Sequence, residues 1–269
     1  MRYTTAKAVS RIVQSLPQSY SHEIISILFQ KMDEGLIKTD IDFDFSSVDE
    51  STWHGNLLCL ADIAWHSGLP STTIPSTITY SLNVPSPSTQ PTNLKALTFD
   101  FVKGQKPVGN AVRDAACYVL YALVRTCPPA ATSPLTPLVL PIAVRLVCVA
   151  TLDPSTTIRR AASAAFQELV GRQSAREERV PSGISVLSMM DYHAVGSRRG
   201  GMEVATLVAR TEGVYRRGVV EWCVERGVGH WEEKGREGVA RVLGRIFEGS
   251  REGVGDVLGR LVCYFEGLS

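Results

Sequence analysis

Asp191, Tyr192 and His193 stand together in DYHAVGSR, residues 191–198, shortly before a glycine. A carboxylate beside an imidazole can orient the ring and share in proton transfer. Turning that pair into a catalytic site needs a nucleophile or a second carboxylate at a matching spacing, and the pattern places neither. The stretch therefore reads as a rigid turn between two helical segments, or as a surface that contacts a partner. HWEEKGRE, residues 230–237, is of the same kind. Trp231 is expected to plug the gap between packed units, and His230 to cap a helix or meet a partner.

Other constellations fail on spacing. Asp40, Asp42 and Asp44 alternate in DIDFDF, like the opening of a calcium loop. Such a loop needs glycine at its sixth position and glutamate at its twelfth, where this chain has Phe45 and Ser51. His54, Cys59 and His66 are too loosely spaced for a zinc site. GQKPVGN at 104–110 lacks the phosphate-loop pattern, and GGMEVA at 200–205 has no strand before it. No catalytic residue, metal site or cofactor site is assigned, and the chain is expected not to be an enzyme.

The elements that must position these residues are helical. Small or apolar residues recur at three- and four-residue intervals in Arg2–Leu16, Ser21–Met32, Trp53–Trp65, Asn110–Val124 and Asp153–Gly171. Pro137–Ala150 is apolar all round, as in a helix covered on several sides. Pro181–Asp191 reads as a short helix, and Gly201–Ala209, Arg216–Arg226, Glu233–Phe247 and Val254–Phe265 complete the pattern. Between Gly68 and Thr92 five prolines among many Ser and Thr residues interrupt it, so 70–92 is expected to be a flexible loop, with a helix resuming from Leu94. DEGLIKTDIDFDFSSVDE, residues 33–50, reads as an acidic loop with a short extended piece. No credible set of alternating strands is visible.

A net charge of +1 from 28 basic and 27 acidic residues speaks against a nucleic-acid binder. No run reaches the roughly 18 apolar residues of a membrane span, so no membrane insertion is expected. Six cysteines set singly in apolar runs read as small buried residues of a reducing compartment.

The helices also resemble one another. VRDAAC at 112–117, IRRAAS at 158–163 and GREGVA at 235–240 each set a basic residue ahead of small ones, and RYTTAKAV at 2–9 and WHGNLLCL at 53–60 follow the same form. The interval from Arg113 to Arg159 is 46 residues, within the about 40–47 of a HEAT or armadillo unit. The 77 residues from Arg159 to Arg236 allow one long unit or two degenerate ones. The fold class read from this is all-α, a HEAT/armadillo-like helical repeat array (α-solenoid) over residues 1–269. Small residues let neighbouring helices approach. Arg159 and Arg160 then lie in the first turn of an inner helix, against the helix dipole. They are read as structural residues compensated by a group such as Asp153, with partner contact as the other possibility.

VGNAVRDAACYVLYALVR, DPSTTIRRAASAAFQELVGRQ, VPSGISVLSMMDYHAVGSR and HWEEKGRE resemble successive segments of the tubulin-folding cofactor D (tubulin-specific chaperone D) family. The likeness runs with gaps from Arg2 to about Arg245, and its densest part is RRAASAAFQE, VGRQ and DY-AVG. It implies a non-catalytic, HEAT-repeat chaperone of the cytoplasm, associated with microtubules. It implies as partners β-tubulin, tubulin-folding cofactors C and E, and a small Arl-type GTPase. Such proteins capture β-tubulin, assemble or dismantle the αβ-tubulin heterodimer, and promote GTP hydrolysis by tubulin only within a cofactor complex. The alternative is a general HEAT-repeat scaffold for protein–protein contact. Family members are several times longer, so the chain is expected to be a central slice of a larger solenoid. Its C-terminal third carries glycine where the family pattern is rich in alanine and leucine. At about 1 kcal/mol per helical glycine, Glu233–Phe265 is expected to be marginal.

Overall fold

The computed structural model describes residues 2–34, 37–38, 43–44, 48–66, 69–81, 96–174 and 179–248, together with 254–255, 257–259 and 262. Helices account for most of them: α1 (Arg2–Ser15), α2 (Gln18–Asp33), α3 (Glu50–His66), α4 (Ile74–Ser81), α5 (Asn110–Thr126), α6 (Val139–Leu152), α7 (Thr156–Gln173), α8 (Gly183–Met189), α9 (Arg198–Thr211), α10 (Gly213–Trp222) and α11 (Glu233–Phe247). The chain divides into two units. The first holds Met1–Ala143 and Ala164–Val180, the second Val144–Ser163 and Pro181–Ser269.

In the first unit α3 packs against α1, α2 and α5. That placement explains why α3 is apolar on nearly every side: Trp53, Leu57, Leu58, Leu60, Ala61, Ile63 and Ala64 are all buried. Several polar groups inside this packing are paired, as burial demands. Trp53 Nε1 donates to the Met32 carbonyl at 2.9 Å, and Ser10 Oγ donates to the Asp62 carbonyl at 2.9 Å. The Tyr118 hydroxyl donates to Asp62 Oδ1 at 2.9 Å, and burial together with that carboxylate pushes its pKa up to about 12. Successive helices are also fastened near their N-terminal ends. Arg2 donates to Ser51 Oγ at 2.7 Å and to His54 Nδ1 at 3.0 Å, while Glu50 Oε1 accepts from the Gly109 N–H at 2.8 Å. Near the C-terminal ends Trp65 stacks on Tyr121, with ring centroids 5.7 Å apart, and Arg125 reaches Glu168 of α7 at 3.2 Å.

The entry to α5 shows how tightly such a corner is built. Arg113, 1% exposed, donates to the Phe99 carbonyl and to Asn110 Oδ1, each at 2.7 Å. Gly109 takes φ 109°, and a Cβ there would overlap the Phe99 carbonyl, so this position requires glycine.

Two local expectations need correction. Within 70–92, residues Ile74–Ser81 form a helix, with Ile74, Thr77, Ile78 and Ser81 buried. Pro75 sits in its first turn, where a missing N–H costs nothing, and residues 82–92 lie outside the described residues. The helix expected from Leu94 is a single 3₁₀ turn, Ala96–Thr98, followed by a hairpin of β3 (Phe101–Lys103) and β4 (Lys106–Val108). Gly104, at φ 67°, opens its two-residue loop. A second two-residue pair, β1 (Ile37–Lys38) with β2 (Phe43–Asp44), lies in the acidic loop; Asp40 and Asp42 fall outside the described residues.

In the second unit α9 packs between α10 and α11. It falls within the long interval between Arg159 and Arg236, and its buried small residues are Gly201, Ala205 and Ala209. Gly201 lies on the Thr151 carbonyl, Gly218 on the Val144 side chain, Gly227 on Val239, and Gly238 on the Met202 thioether. These glycines are close-approach positions, where a side chain would meet a neighbouring element. Gly244 faces open space, and there the helix-propensity cost stands unopposed. Half of Val254–Phe265 lies outside the described residues. The apolar stripe expected in α7 is buried at Ile158, Ala162, Ala165, Phe166 and Leu169, and α6 is buried along most of its length.

The glycine assignments make a paired test in urea denaturation. Gly244→Ala should raise stability by up to about 1 kcal/mol, whereas Gly201→Ala should lower it by about 1–3 kcal/mol through overpacking on a backbone carbonyl. Equal effects of the two substitutions would contradict the packing described.

His54 supplies a pH dependence. Arginine only donates, so the Arg2 contact needs an unprotonated Nδ1. Burial first and Arg2 second depress the His54 pKa, with Asp114 and Glu50 pulling the other way. A folded pKa below the unfolded value of about 6.5 means that the unfolded chain binds more protons. The contribution is complete above that unfolded value and is lost as pH falls through the folded one. Unfolding free energy should therefore drop as pH falls below about 6.5, with a shallower slope in His54→Gln. Identical slopes in the two proteins would refute this.

Candidate functional site

The corner between α6 and α7 begins at Asp153, which is buried and whose Oδ1 accepts the Ser155 N–H at 2.8 Å. That turn frees the chain to restart as α7 at Thr156, and it brings Arg159 into the first helical turn. Arg159 is 1% exposed. Its Nε donates to the Val195 carbonyl at 2.7 Å. One terminal nitrogen donates to the carbonyls of Asp153 at 2.8 Å and Pro154 at 3.0 Å. The other donates to Thr156 Oγ1 at 2.9 Å and the Gly196 carbonyl at 3.3 Å. All three nitrogens are engaged, so the side chain is a clamp between the start of α7 and the turn that precedes α9. Asp153 does supply the compensation expected of it, through its main-chain carbonyl. Desolvation pushes the guanidinium pKa down and the nearby Asp153 carboxylate pushes it back up.

Arg160, one residue on, points elsewhere. Its guanidinium carbon lies 3.7 Å from the centroid of the Tyr192 ring, and its Nε is buried without a hydrogen-bond partner. Gly196 leaves room for this stack: a Cβ there would stand 3.2 Å from an Arg160 terminal nitrogen. Tyr192 remains 61% exposed, with His193 edge-on at a centroid separation of 5.8 Å.

The turn itself is held by Asp191, whose Oδ1 accepts the N–H groups of His193 at 2.7 Å and Ala194 at 2.9 Å. Those two bonds, Ala194 first, hold the Asp191 carboxyl below its ordinary pKa. Val195 is buried beneath the turn, and Ser197 Oγ caps α9 by accepting the Gly200 N–H at 3.0 Å. Asp191 and His193 thus stand on an exposed turn whose carboxylate oxygen is committed to main-chain donors.

His230 and Trp231 occupy the equivalent corner before α11. His230 Nδ1 accepts the Glu232 N–H at 3.1 Å, and the His230 carbonyl accepts from Arg236 at 2.7 Å. Gly235 gives the imidazole space, since a Cβ there would stand 2.8 Å from Nδ1. Trp231 is 43% exposed, its ring 5.2 Å from that of His230. At that exposure the indole is not buried in a gap, which differs from the sequence expectation.

Arg198, at the start of α9, links the two corners through Glu232 at 2.8 Å. The seven residues singled out in the sequence therefore fall on one edge of the second unit, at the N-terminal ends of α7, α9 and α11. Arg159 is a buried clamp; Arg160, Tyr192, His193 and Trp231 form the polar-aromatic surface above it. Sequence reasoning missed Arg198, Gly196 and Gly235. The pair Arg198–Arg199 after Ser197 repeats the arginine pair of α7 behind a capping residue, and that was the available signal.

An all-α fold of stacked helices, fastened corner to corner by buried arginines, defines a helical-repeat protein of the armadillo class. Residues 1–184 match the family of tubulin-specific chaperone D-like ARM repeats, and the chain belongs to that family. It is 32% identical over 238 residues to the tubulin-specific chaperone D of Dictyostelium discoideum, covering 88% of this chain and 14% of that protein. It is 27% identical over 200 residues to the tubulin-folding cofactor D of Schizosaccharomyces pombe, covering 72% of this chain and 16% of that protein. The chain thus spans about one-seventh of the length of these relatives. No solved structure matches it. No helix among the described residues is long and apolar enough to cross a membrane.

The two adjacent arginines should separate cleanly on substitution. Arg159→Met leaves several buried carbonyls without donors and should cost at least about 2 kcal/mol, while Arg160→Ala should cost less than about 1 kcal/mol. Urea denaturation of both variants measures this, and equal losses would contradict the clamp assignment.

Proposed function

We propose that this chain is a non-catalytic segment of a tubulin-folding chaperone, contributing a docking edge to β-tubulin capture. In this reading it takes part in assembling or dismantling the αβ-tubulin heterodimer. It promotes GTP hydrolysis by tubulin only within a complex that includes cofactors C and E and a small Arl-type GTPase. It works in the cytoplasm, in association with microtubules.

The observation that carries the reading is the exposed edge of Tyr192, His193 and Trp231, with the half-buried Arg160 stacked on the Tyr192 ring. Aromatic and arginine side chains held in place by their neighbours lose little freedom on binding, and such residues dominate protein interfaces. The absence of a proton-transfer geometry at Asp191 and His193 favours a binding role over a chemical one. Membership of a family whose named relatives are tubulin chaperones supplies the partner.

The test is binding of purified β-tubulin to the full chain, wild type and Arg160→Ala/Tyr192→Ala. Loss of the stacked pair should weaken binding about tenfold, equivalent to about 1.4 kcal/mol, with the helical circular dichroism unchanged. Unaltered affinity would remove this edge from the contact. No measurable affinity of the wild type would favour the general scaffold instead.

A further inference from the structure

Helices α9 and α11 run side by side with their N-termini together. Arg198 meets Glu232 at one end, and at the other Arg210 donates to the Arg245 carbonyl at 2.8 Å. Between them lies a groove of about 590 Å³, a size typical of ligand clefts. Gly238 creates its floor, because the absent Cβ lets the Met202 thioether lie across the α11 backbone beside Val242. The walls are charged and unbalanced: five cationic side chains against the carboxylates Glu203 and Glu237.

Those two carboxylates sit on the groove's sides and are already answered within their own helices, Glu203 by Arg199 at 3.1 Å and Glu237 by Arg241 at 3.3 Å. Lys234 and Arg245 line the groove with no carboxylate partner among the described residues. They lie eleven residues apart on α11, about three turns, so they share a face about 16 Å from end to end. The groove therefore presents a cation at each end and an apolar strip between.

We propose that the groove between α9 and α11 binds an acidic peptide segment, extended, with carboxylates near both ends and an apolar side chain between them. An extended chain advances about 3.3 Å per residue, so about five residues carry one carboxylate from Lys234 to Arg245. A nucleic-acid strand fits less well, since its evenly spaced phosphates would fall on Glu203 and Glu237, and the floor offers Met202 in place of an aromatic stacking surface. The inference does not rest on the tubulin reading, because it is argued from the groove's own lining, which shares only Arg198 with that edge, and its probe is not tubulin.

The probe is fluorescein-labelled Glu-Glu-Ser-Leu-Ser-Glu-Glu, titrated with the full chain and followed by fluorescence anisotropy. Saturable binding is expected, weakened by salt as the charges are screened. Lys234→Glu/Arg245→Gln should lower affinity at least about tenfold, or about 1.4 kcal/mol, and replacing the peptide's leucine by serine should lower it at least about fivefold. Both substituted side chains are exposed, so helical circular dichroism should be unchanged; each single substitution is measured beside the double. The proposal is overturned by an absence of binding up to about 1 mM, by equal affinity of wild type and variants, or by indifference to the leucine. It is also overturned if a uridine decamer binds more tightly than the peptide and loses affinity in the same variants.

Discussion

A buried guanidinium has to be met by acceptors, and in this chain that requirement joins one helix to the next. Arg159 has all three nitrogens bonded, to the turn it springs from and to the turn that precedes α9. Removing such a charge from water is costly, and a near-complete set of carbonyl partners offsets the cost only in one geometry. The clamp is therefore directional, and it sets where the Asp191–Ser197 turn must lie. Arg113 does the same at the start of α5, reaching back to Phe99. Arg2 to Ser51 and His54, and Arg198 to Glu232, are more exposed forms of one device. In helical repeats each unit is stabilised through its neighbours, so bonds at successive helix starts are where register is decided.

Small residues supply the other half of the design. Where Gly201 lies on the Thr151 carbonyl and Gly218 on Val144, a side chain would push the helices apart. The intrinsic helix cost of glycine is accepted in return for close contact. The same substitution has a second outcome between α9 and α11. There Gly238 lets Met202 fold over the backbone, and what remains above it is a groove rather than a filled core.

The clamps and the exposed edge are parts of one construction. Because Arg159 and Asp191 fix the turn from beneath, Tyr192 and His193 are held outward, and Arg160 has a ring to stack on. An edge preset in this way has little ordering left to lose on contact, which is the physical basis of the docking role proposed for it.

Much of this was legible in the residues themselves. Three- and four-residue spacing determined the helices, because a helix with one or more buried faces must repeat its apolar residues at the helical period. The basic residue ahead of small ones marked α5 and α7 as equivalent, and the run through RRAASAAFQE pointed to the family. Periodicity carries no information about what stands opposite a given residue. Only the tertiary structure decided that Arg159 is buried while Arg160 stacks on Tyr192, since adjacent positions on a helix differ by about 100° and face different neighbours. Only it separated Gly201 and Gly238, which lie against other atoms, from Gly244, which faces open space. It likewise left Trp231 exposed, turned Ile74–Ser81 into a helix in a proline-rich stretch, and set α9 between α10 and α11. Each of these depends on contacts between residues distant in sequence, and a one-dimensional pattern records only the residue that makes a contact, never the one that receives it.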